Sequence, residues 1–395
     1  MHIIRCLHII VSVFFIVADS ENYKTDIKEL MNTSTEHKIL IKKVLSYYNN
    51  NIDSQKYEAA CYIVRNIQHH KSVHPDGRIM KDIEVISPAY IINNIEFAFN
   101  VWRESPWHNE IGFDTFCNYI LPYRVGDEPI SCWRKKMYAY YCDKIKNVKN
   151  PLKAFSIIYH DAMDRFDNRD DDENGDVMSL HYSKKGGCNQ RTIYVVSVLR
   201  SLGIPAAYDY TGFWGNYSTK GHSWVSYVNN NKTYTLFRKE KTPKEHNRIN
   251  DENFNNDGEL IHDFHKWDSI KRVSAIYRKE FIVQTMHDKY IPSQLYNLNA
   301  RNVMYQYGYT GKVIYDNKSN NANAYLCAFH GGYGWKTVIE GKKRQNKHLF
   351  ENLPYRVVYL PVIFLENHRQ DLGVPFYIDS KGRINRFVNL NSATL

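Results

Sequence analysis

The spacing of apolar residues changes along the chain and divides it into parts. Between about residues 25 and 149 apolar positions recur at helical spacing, as at Ala59, Ile63 and Ile67. From about residue 302, short alternating runs separated by Gly, Asn, Pro and Asp replace that pattern, which is typical of strands. The chain is therefore predicted to be an α+β protein, with an N-terminal helical region and a C-terminal antiparallel β-sandwich.

A central stretch, residues 184–237, predicts a buried helix between these parts. Two glycines precede Cys188, and apolar residues follow it at helical spacing as far as Leu202. Gly203 can supply a left-handed cap at the helix end, and Pro205 begins an extended segment. The thiol of Cys188 is thus expected at the N-terminal end of the helix.

A β-hairpin is predicted after the extended segment. His222 opens an apolar strand, HSWVSYV, and three asparagines at 229–231 form a turn into the strand TYTLF. We expect this arrangement to place His222 at a strand start, facing the tip of the helix. An imidazole at that point could accept the thiol proton.

The chemistry of Cys188 follows from its predicted place in the helix. Unpaired N–H groups and the helix dipole stabilise a thiolate, lowering a thiol pKa from about 8.5. Gly186 and Gly187 would let a substrate backbone come close. The competing interpretation makes Cys188 a small core residue and His222 a structural histidine.

These residues resemble a known family. A Cys at a helix start, the string RSLGIPA at 200–206 and GHSW at 221–224 are similar to the transglutaminase-like, papain-related superfamily of Cys-His-Asp enzymes. The resemblance implies a transglutaminase-like (papain-like) core in which Cys188 is the nucleophile and His222 the base.

The third member of the family's triad departs from the pattern. The resemblance places an Asp at the end of the strand that follows His222, where this chain has Phe237. Asp209, Glu240 or an Asn of the 229–231 turn could take its place. Tyr182, six residues before Cys188, is a candidate side-chain donor to an oxyanion, from spacing alone.

The resemblance extends beyond the core to exported bacterial transglutaminase-like proteins. It is strongest at 88–135, 184–228 and 323–388. It gives the predicted organisation: a signal peptide at 1–20, a helical region at 21–150, the core at 151–290 and a β-sandwich at 300–395. Within the helical region, Arg124, Glu128 and Trp133 either approach the cleft or, in the alternative, an Arg-Glu pair ties two helices together.

Composition and charge exclude several classes of protein. The chain has 395 residues, of which 43% are hydrophobic and 24% charged, as in globular proteins. Its net charge is +10, but Lys and Arg are scattered and form no nucleic-acid motif, so no nucleic acid partner is expected. Attraction to anionic glycans or to a cell envelope is the alternative.

The first 20 residues have the features of an export signal. Arg5 precedes an apolar run at 7–18, and Ala18-Asp19-Ser20 fits a cleavage site. The run is short for a membrane span, and no other long apolar run exists. We expect an exported protein, periplasmic or extracellular, with the cell surface included, and no integral membrane segment.

Cysteines and potential metal ligands give weaker signals. No C-x-x-C pair occurs, and a disulfide among Cys117, Cys132 and Cys142 is less favoured than reduced, buried thiols. The cluster of His69, His70 and His74 is interrupted by a Pro-Asp-Gly break, and the loop 170–181 resembles a calcium loop whose last ligand is His181 instead of Glu. Neither is predicted to bind a metal.

Two functions remain open. The first is a thiol enzyme that cleaves or transfers an amide acyl group of a peptide, glycopeptide or protein through a thioester on Cys188, and it needs no metal or organic cofactor. The second is a protein with the same fold and weak or no catalysis that binds carbohydrate or protein. In that case the β-sandwich, with aromatic residues such as Trp335, supplies the glycan contact.

Overall fold

The computed structural model describes most of the chain. The described residues are 35–49, 53–167, 175–216, 220–236, 244–245, 272–283, 295, 299–316, 323–332, 334–365 and 368–387. The predicted signal at 1–20, most of the acidic loop, and the positions Phe237 and Glu240 lie outside them.

Helices fill the described residues up to 201. They are α1 (Thr35–Asn49), α2 (Ser54–Asn66), α3 (Asp82–Val85), α4 (Pro88–Glu104), α5 (Phe113–Tyr119), α6 (Trp133–Tyr141), α7 (Pro151–Met163), α8 (Val177–Ser183) and α9 (Cys188–Ser201). Several starts follow from local sequence. Ser87 and Asn150 cap α4 and α7 with their side-chain oxygens, each with a Pro in the first turn.

Strands dominate after residue 201. Before that residue, β1 (Lys71–Val73) and β2 (Ile79–Lys81) form a small hairpin among the helices. The later strands are β3 (Ala206–Gly215), β4 (Lys220–Asn229), β5 (Lys232–Thr235), β6 (Lys244–Glu245), β7 (Arg272–Val273), β8 (Tyr277–Lys279), β9 (Ala300–Asn302), β10 (Gly311–Asp316), β11 (Ala324–His330), β12 (Gly334–Glu340), β13 (Lys342–Arg344), β14 (Lys347–Leu353), β15 (Tyr359–Leu365), β16 (His368–Asp371), β17 (Phe376–Ile378) and β18 (Ile384–Arg386). The described strand pairs are antiparallel.

The central sheet runs β6-β5-β4-β3-β8-β9, with β7 also paired to β3. Its β4–β5 hairpin turns at Asn230 and Asn231, both with positive φ (49° and 61°). Asparagine tolerates that conformation, and two such residues match the twist of an antiparallel hairpin. The predicted hairpin is therefore present, and Val273 and Tyr277 lie in strands that pair with β3.

The central sheet separates two apolar cores. On one face Tyr208, Val225 and Tyr227 join the core formed by the helices. On the other face Trp214 and Trp224 join a core that lies within the C-terminal strands. The helices before residue 150 and those after it contribute to the same core, so the helical region and the central sheet are packed as one unit.

The C-terminal strands form two antiparallel sheets. One runs β10-β14-β13, and the other runs β12-β11-β15-β17-β18 with β16 on β15. Alternate residues such as Leu326, Phe350 and Ile363 point into the shared core. The α+β prediction, with helices first and antiparallel sheets last, is confirmed.

Candidate active site

The thiol of Cys188 lies at the first residue of α9. Gly187 precedes the helix in an extended conformation, and almost every residue of α9 after the first turn is buried. Cys188 itself is exposed. The predicted position of the thiol at the tip of a buried helix is therefore confirmed, and its exposure argues against the interpretation of Cys188 as a core residue.

Gly186, before Cys188, is required by the local backbone conformation. Gly186 has a φ of 154°, and an added Cβ would lie 2.6 Å from the Cβ of Gln190. Only glycine fits this tight approach to the helix. Gly186 and Gly187 are both buried, and the close approach of a substrate backbone to them stays a prediction.

Hydroxyl and amide groups tie the tip of α9 to the central sheet. Thr192 Oγ1 donates to the Cys188 carbonyl at 2.7 Å and lies 3.3 Å from Ser223 Oγ on β4. Tyr208 on β3 donates its hydroxyl to Asn189 Oδ1 at 2.6 Å. The N-terminal part of α9 is thereby held against both β3 and β4.

Tyr208 is the ionisable group that the described contacts bring to the thiol's neighbourhood. Burial raises its pKa, the nearby Cys188 sulfur adds to the rise, and a hydrogen bond from Ser223 opposes it. Its hydroxyl therefore remains a donor at neutral pH. The Lys279 ammonium lies 4.9 Å from the centre of the Tyr208 ring and 3.8 Å from the Asp127 carboxylate.

His222 is the third residue of β4 and is half-buried. Its ring stacks between those of Trp214 and Trp224, with both centroids 6.2 Å away. Side chains alternate along a strand, so Ser223 faces α9 and His222 shares the other side with Trp224. The structure brings the backbone of His222 to the first turn of α9, but Ser223 makes the described contact with the helix.

Asp209 forms an ion pair with Arg278. Its carboxylate is fully buried, and Arg278 donates to both oxygens at 2.7 Å. Tyr307 and Ser226 donate to the same carboxylate at 2.7 and 2.8 Å. The register pairs Asp209 with Trp224 and not with His222. We therefore leave Asp209 out of the proposed catalytic group.

The other sequence candidates lie apart from these contacts. Tyr182 on α8 is 70% exposed, and its ring contacts that of His181 at 5.2 Å. His181 is itself committed, because its Nδ1 lies 2.8 Å from the Tyr194 hydroxyl. Nothing in the described contacts joins Tyr182 to Cys188, and Glu240 falls outside the described residues.

Arg124 belongs to a buried network and not to an Arg-Glu pair. It makes an ion pair with Asp82 at 2.8 Å and donates to the Glu128 carbonyl at 2.6 Å. The Glu128 carboxylate accepts the N–H groups of Val125 and Gly126, both at 2.7 Å. The expected Arg-Glu pair between two helices is therefore wrong, because Arg124 and Glu128 lie in the segment between α5 and α6 and the acidic partner of Arg124 is Asp82. Trp133 is also buried and donates to a backbone carbonyl.

The six described cysteines are all free thiols. Burial raises the pKa of Cys61 to about 11, and it also raises those of Cys117 and Cys327. Cys132 is exposed like Cys188. The expectation of reduced thiols agrees with this, whereas the expectation of burial holds for Cys117 but not for Cys132.

Metal and membrane signals are weak in the described part of the chain. There, no group of three or more His, Cys, Asp or Glu side chains could hold a metal ion. His70 lies 2.9 Å from the Phe281 carbonyl and stacks on that residue's ring, away from a shared site with His74. No described helix is long and apolar enough to cross a membrane.

Among solved structures, two likenesses are weak. A candidate cysteine protease from Cytophaga hutchinsonii has a TM-score of 0.25 and 11% identity, covering 29% of this chain and 40% of that one. Red sea bream transglutaminase has a TM-score of 0.25 and 10% identity, covering 80% of this chain and 62% of that one. The chain spans less than two thirds of either protein, and neither likeness supports a further statement.

The family comparison is more specific. No curated protein matches the chain. Residues 139–238, however, match the model of the transglutaminase-like superfamily core. That segment contains α9 with Cys188 and the β3–β4 hairpin with His222, the elements that carry the site's geometry. The chain thus contains a core of the transglutaminase-like superfamily.

Proposed function

We propose that this protein is an exported thiol enzyme that cleaves or transfers an amide acyl group of a peptide, glycopeptide or protein. The observation that carries the proposal is the exposed Cys188 at the N-terminus of a buried helix, inside a transglutaminase-like core. Helix N-termini leave backbone N–H groups unpaired, and these can bind the oxyanion that forms beside the sulfur.

The proposed reaction has two steps. The Cys188 sulfur attacks the amide carbonyl, a C–S bond forms, and the C–N bond breaks as the amine leaves with a proton. Water, or a second amine, then attacks the thioester and the thiol is regenerated. We assign the proton transfers to His222, as base in the first attack and acid toward the leaving amine.

The base is the part of this assignment that most needs a test. Ser223 contacts Thr192 of α9, and the His222 imidazole is stacked between two tryptophans. The hydroxyl of Tyr208 is the described ionisable group near the thiol. If His222 is the base, replacing it with Asn removes turnover while Tyr208→Phe leaves most of it.

The experiment uses dimethylated casein, whose lysines cannot react, as substrate. Newly formed primary amines report backbone cleavage, ammonia release reports side-chain hydrolysis, and incorporation of a biotinylated amine reports transfer. At least one signal is expected from the wild-type protein and none from Cys188→Ala. A signal that survives Cys188→Ala would overturn the thiol mechanism.

A second function, binding without efficient catalysis, is favoured by one observation. Asp209, a sequence candidate for the third member of the triad, is held in a buried ion pair by Arg278. A binding protein would give none of the three signals, and its Cys188 would react with iodoacetamide no faster than the exposed Cys132 of the same molecule.

A further inference from the structure

A row of aromatic side chains, buried at Tyr208 and half-buried at Tyr210 and Tyr277, runs from the tip of α9 along the central sheet. In register, Tyr208 pairs with Lys279 and Tyr210 pairs with Tyr277. Directly paired residues share one face of a sheet, so these four side chains lie together. The Tyr208 and Tyr210 rings are 6.0 Å apart, as are the Tyr210 and Tyr277 rings.

The row ends in a pocket between the central sheet and the β-sandwich. Tyr210, Gly212, Phe213 and Tyr277 line it from the sheet, and Val338 lines it from β12. The space within its lining, with the open solvent at its mouth included, is about 400 Å³. That leaves room for a side chain and not for a folded partner.

The polar groups that line the pocket are occupied. The Tyr277 hydroxyl donates to the Val338 carbonyl at 2.8 Å, and the Ser274 hydroxyl donates to the Phe213 carbonyl. Thr337 Oγ1 lies 3.5 Å from the sulfur of Cys327. Ring faces and aliphatic carbons are left to meet a ligand, which favours an apolar side chain over a sugar or a charged group.

We infer that this pocket is a specificity site that binds an apolar or aromatic side chain of the substrate, several residues from the amide that reacts with Cys188. Tyr208, through Asn189, lies at the thiol, and Gly212 lies four strand residues further on. At about 3.3 Å per residue this is roughly 13 Å. An extended peptide covers that distance in about four residues.

This inference rests on the proposed function only in taking Cys188 as the reacting atom, and its test does not require turnover. The probes are bromoacetyl-(Gly)n-Phe-amides with n from zero to six, each compared with the same probe ending in Gly. Mass spectrometry of tryptic peptides gives the alkylation rate of Cys188. A Phe in the pocket should raise that rate roughly tenfold or more, with a maximum at n of about three to four.

A pocket-filling variant gives the second arm. Gly212 lines the pocket, and a Cβ added to it meets nothing within 4 Å, so Gly212→Leu introduces a bulky side chain at the pocket wall. It should remove the Phe-dependent gain and leave the Gly probe unchanged. Gly112→Leu is the control, because a Cβ at Gly112 also meets nothing within 4 Å. Gly212→Ala should give an intermediate result.

The outcomes separate the two proposals. If labelling of Cys188 depends on linker length but casein is not turned over, the pocket proposal is supported and the thiol-enzyme proposal is contradicted. If casein is turned over but the labelling rate depends on neither Phe nor linker length, the pocket proposal is contradicted and the thiol-enzyme proposal is supported. A faster rate for probes that end in N-acetylglucosamine, with no gain from Phe, would also overturn the apolar assignment.

Discussion

The two faces of the central sheet use polar residues in opposite ways. On the sandwich side, Asp209 and Arg278 form a fully buried ion pair whose remaining hydrogen-bonding groups are met by Tyr307 and Ser226. On the helix side, the hydroxyl of Tyr208 and the exposed thiol of Cys188 lie where the sheet meets the helix tip. A closed network stabilises the fold, whereas an exposed thiol can react.

The largest expected difference is in thiol reactivity. Cys188 is exposed, while burial raises the pKa values of Cys61, Cys117 and Cys327. Iodoacetamide at pH 7 should modify Cys188 at least about 100-fold faster than these three. Peptide mapping over time measures the rates, and exposed Cys132 is the internal control. Equal rates at Cys188 and the buried thiols would remove the distinction between the exposed thiol and the buried ones.

The next effect is on stability, at the closed face. Asp209→Ala leaves the buried Arg278 guanidinium without its carboxylate, which should lower the free energy of unfolding by about 3–5 kcal/mol. Urea denaturation measures it. In the control, Asp161→Ala removes a half-exposed pair with Lys144 and should cost less than about 1 kcal/mol. Similar losses from both variants would show that the closed network is not special.

A smaller effect on the free energy of unfolding is predicted when the pH is lowered. Burial lowers the pKa of His70 to about 3, and the nearby Arg124 charge adds to this. The unfolded chain takes up a proton near pH 6.5 and the folded chain does not, so stability is lost as pH falls from 6.5 toward 3. Between pH 7 and pH 5 the wild-type protein should lose about 2 kcal/mol more than His70→Gln. Parallel pH profiles in urea denaturation would contradict this.

The smallest effect concerns the helix side of the sheet. Tyr208→Phe removes the hydrogen bond to Asn189 and should cost only about 0.5–1.5 kcal/mol of stability. The free energy of unfolding measures this, with the Cys188 alkylation rate as a second readout. A loss as large as that of Asp209→Ala would place Tyr208 in the closed class of polar residues.

Local features of the site were predictable from sequence. The start of α9 follows from two glycines before an apolar helical repeat, and its end follows from Gly203, which adopts a φ of 69°. The β4–β5 turn follows from consecutive asparagines. Each of these depends on neighbours within a few residues, so a pattern can reveal it.

Long-range pairings were not predictable in the same way. Arg278 lies 69 residues from Asp209 in sequence, and no pattern near either residue indicates the pair. Spacing along the sequence favours Tyr182 as a hydroxyl donor near the thiol, because it lies only six residues before Cys188. The fold brings Tyr208 there instead, because β3 places its hydroxyl on Asn189. The alternation of Ala206, Tyr208 and Tyr210 on one strand face was the available signal.

Because Trp214, Trp224 and Ile276 sit in the same core as the C-terminal strands, the sandwich cannot be trimmed away as a detachable module. Removing it would leave a band of large apolar side chains in contact with water, on the reverse of the sheet that holds the thiol helix. Shortened versions of this chain should therefore aggregate, and any search for the catalytic unit has to keep the sandwich attached.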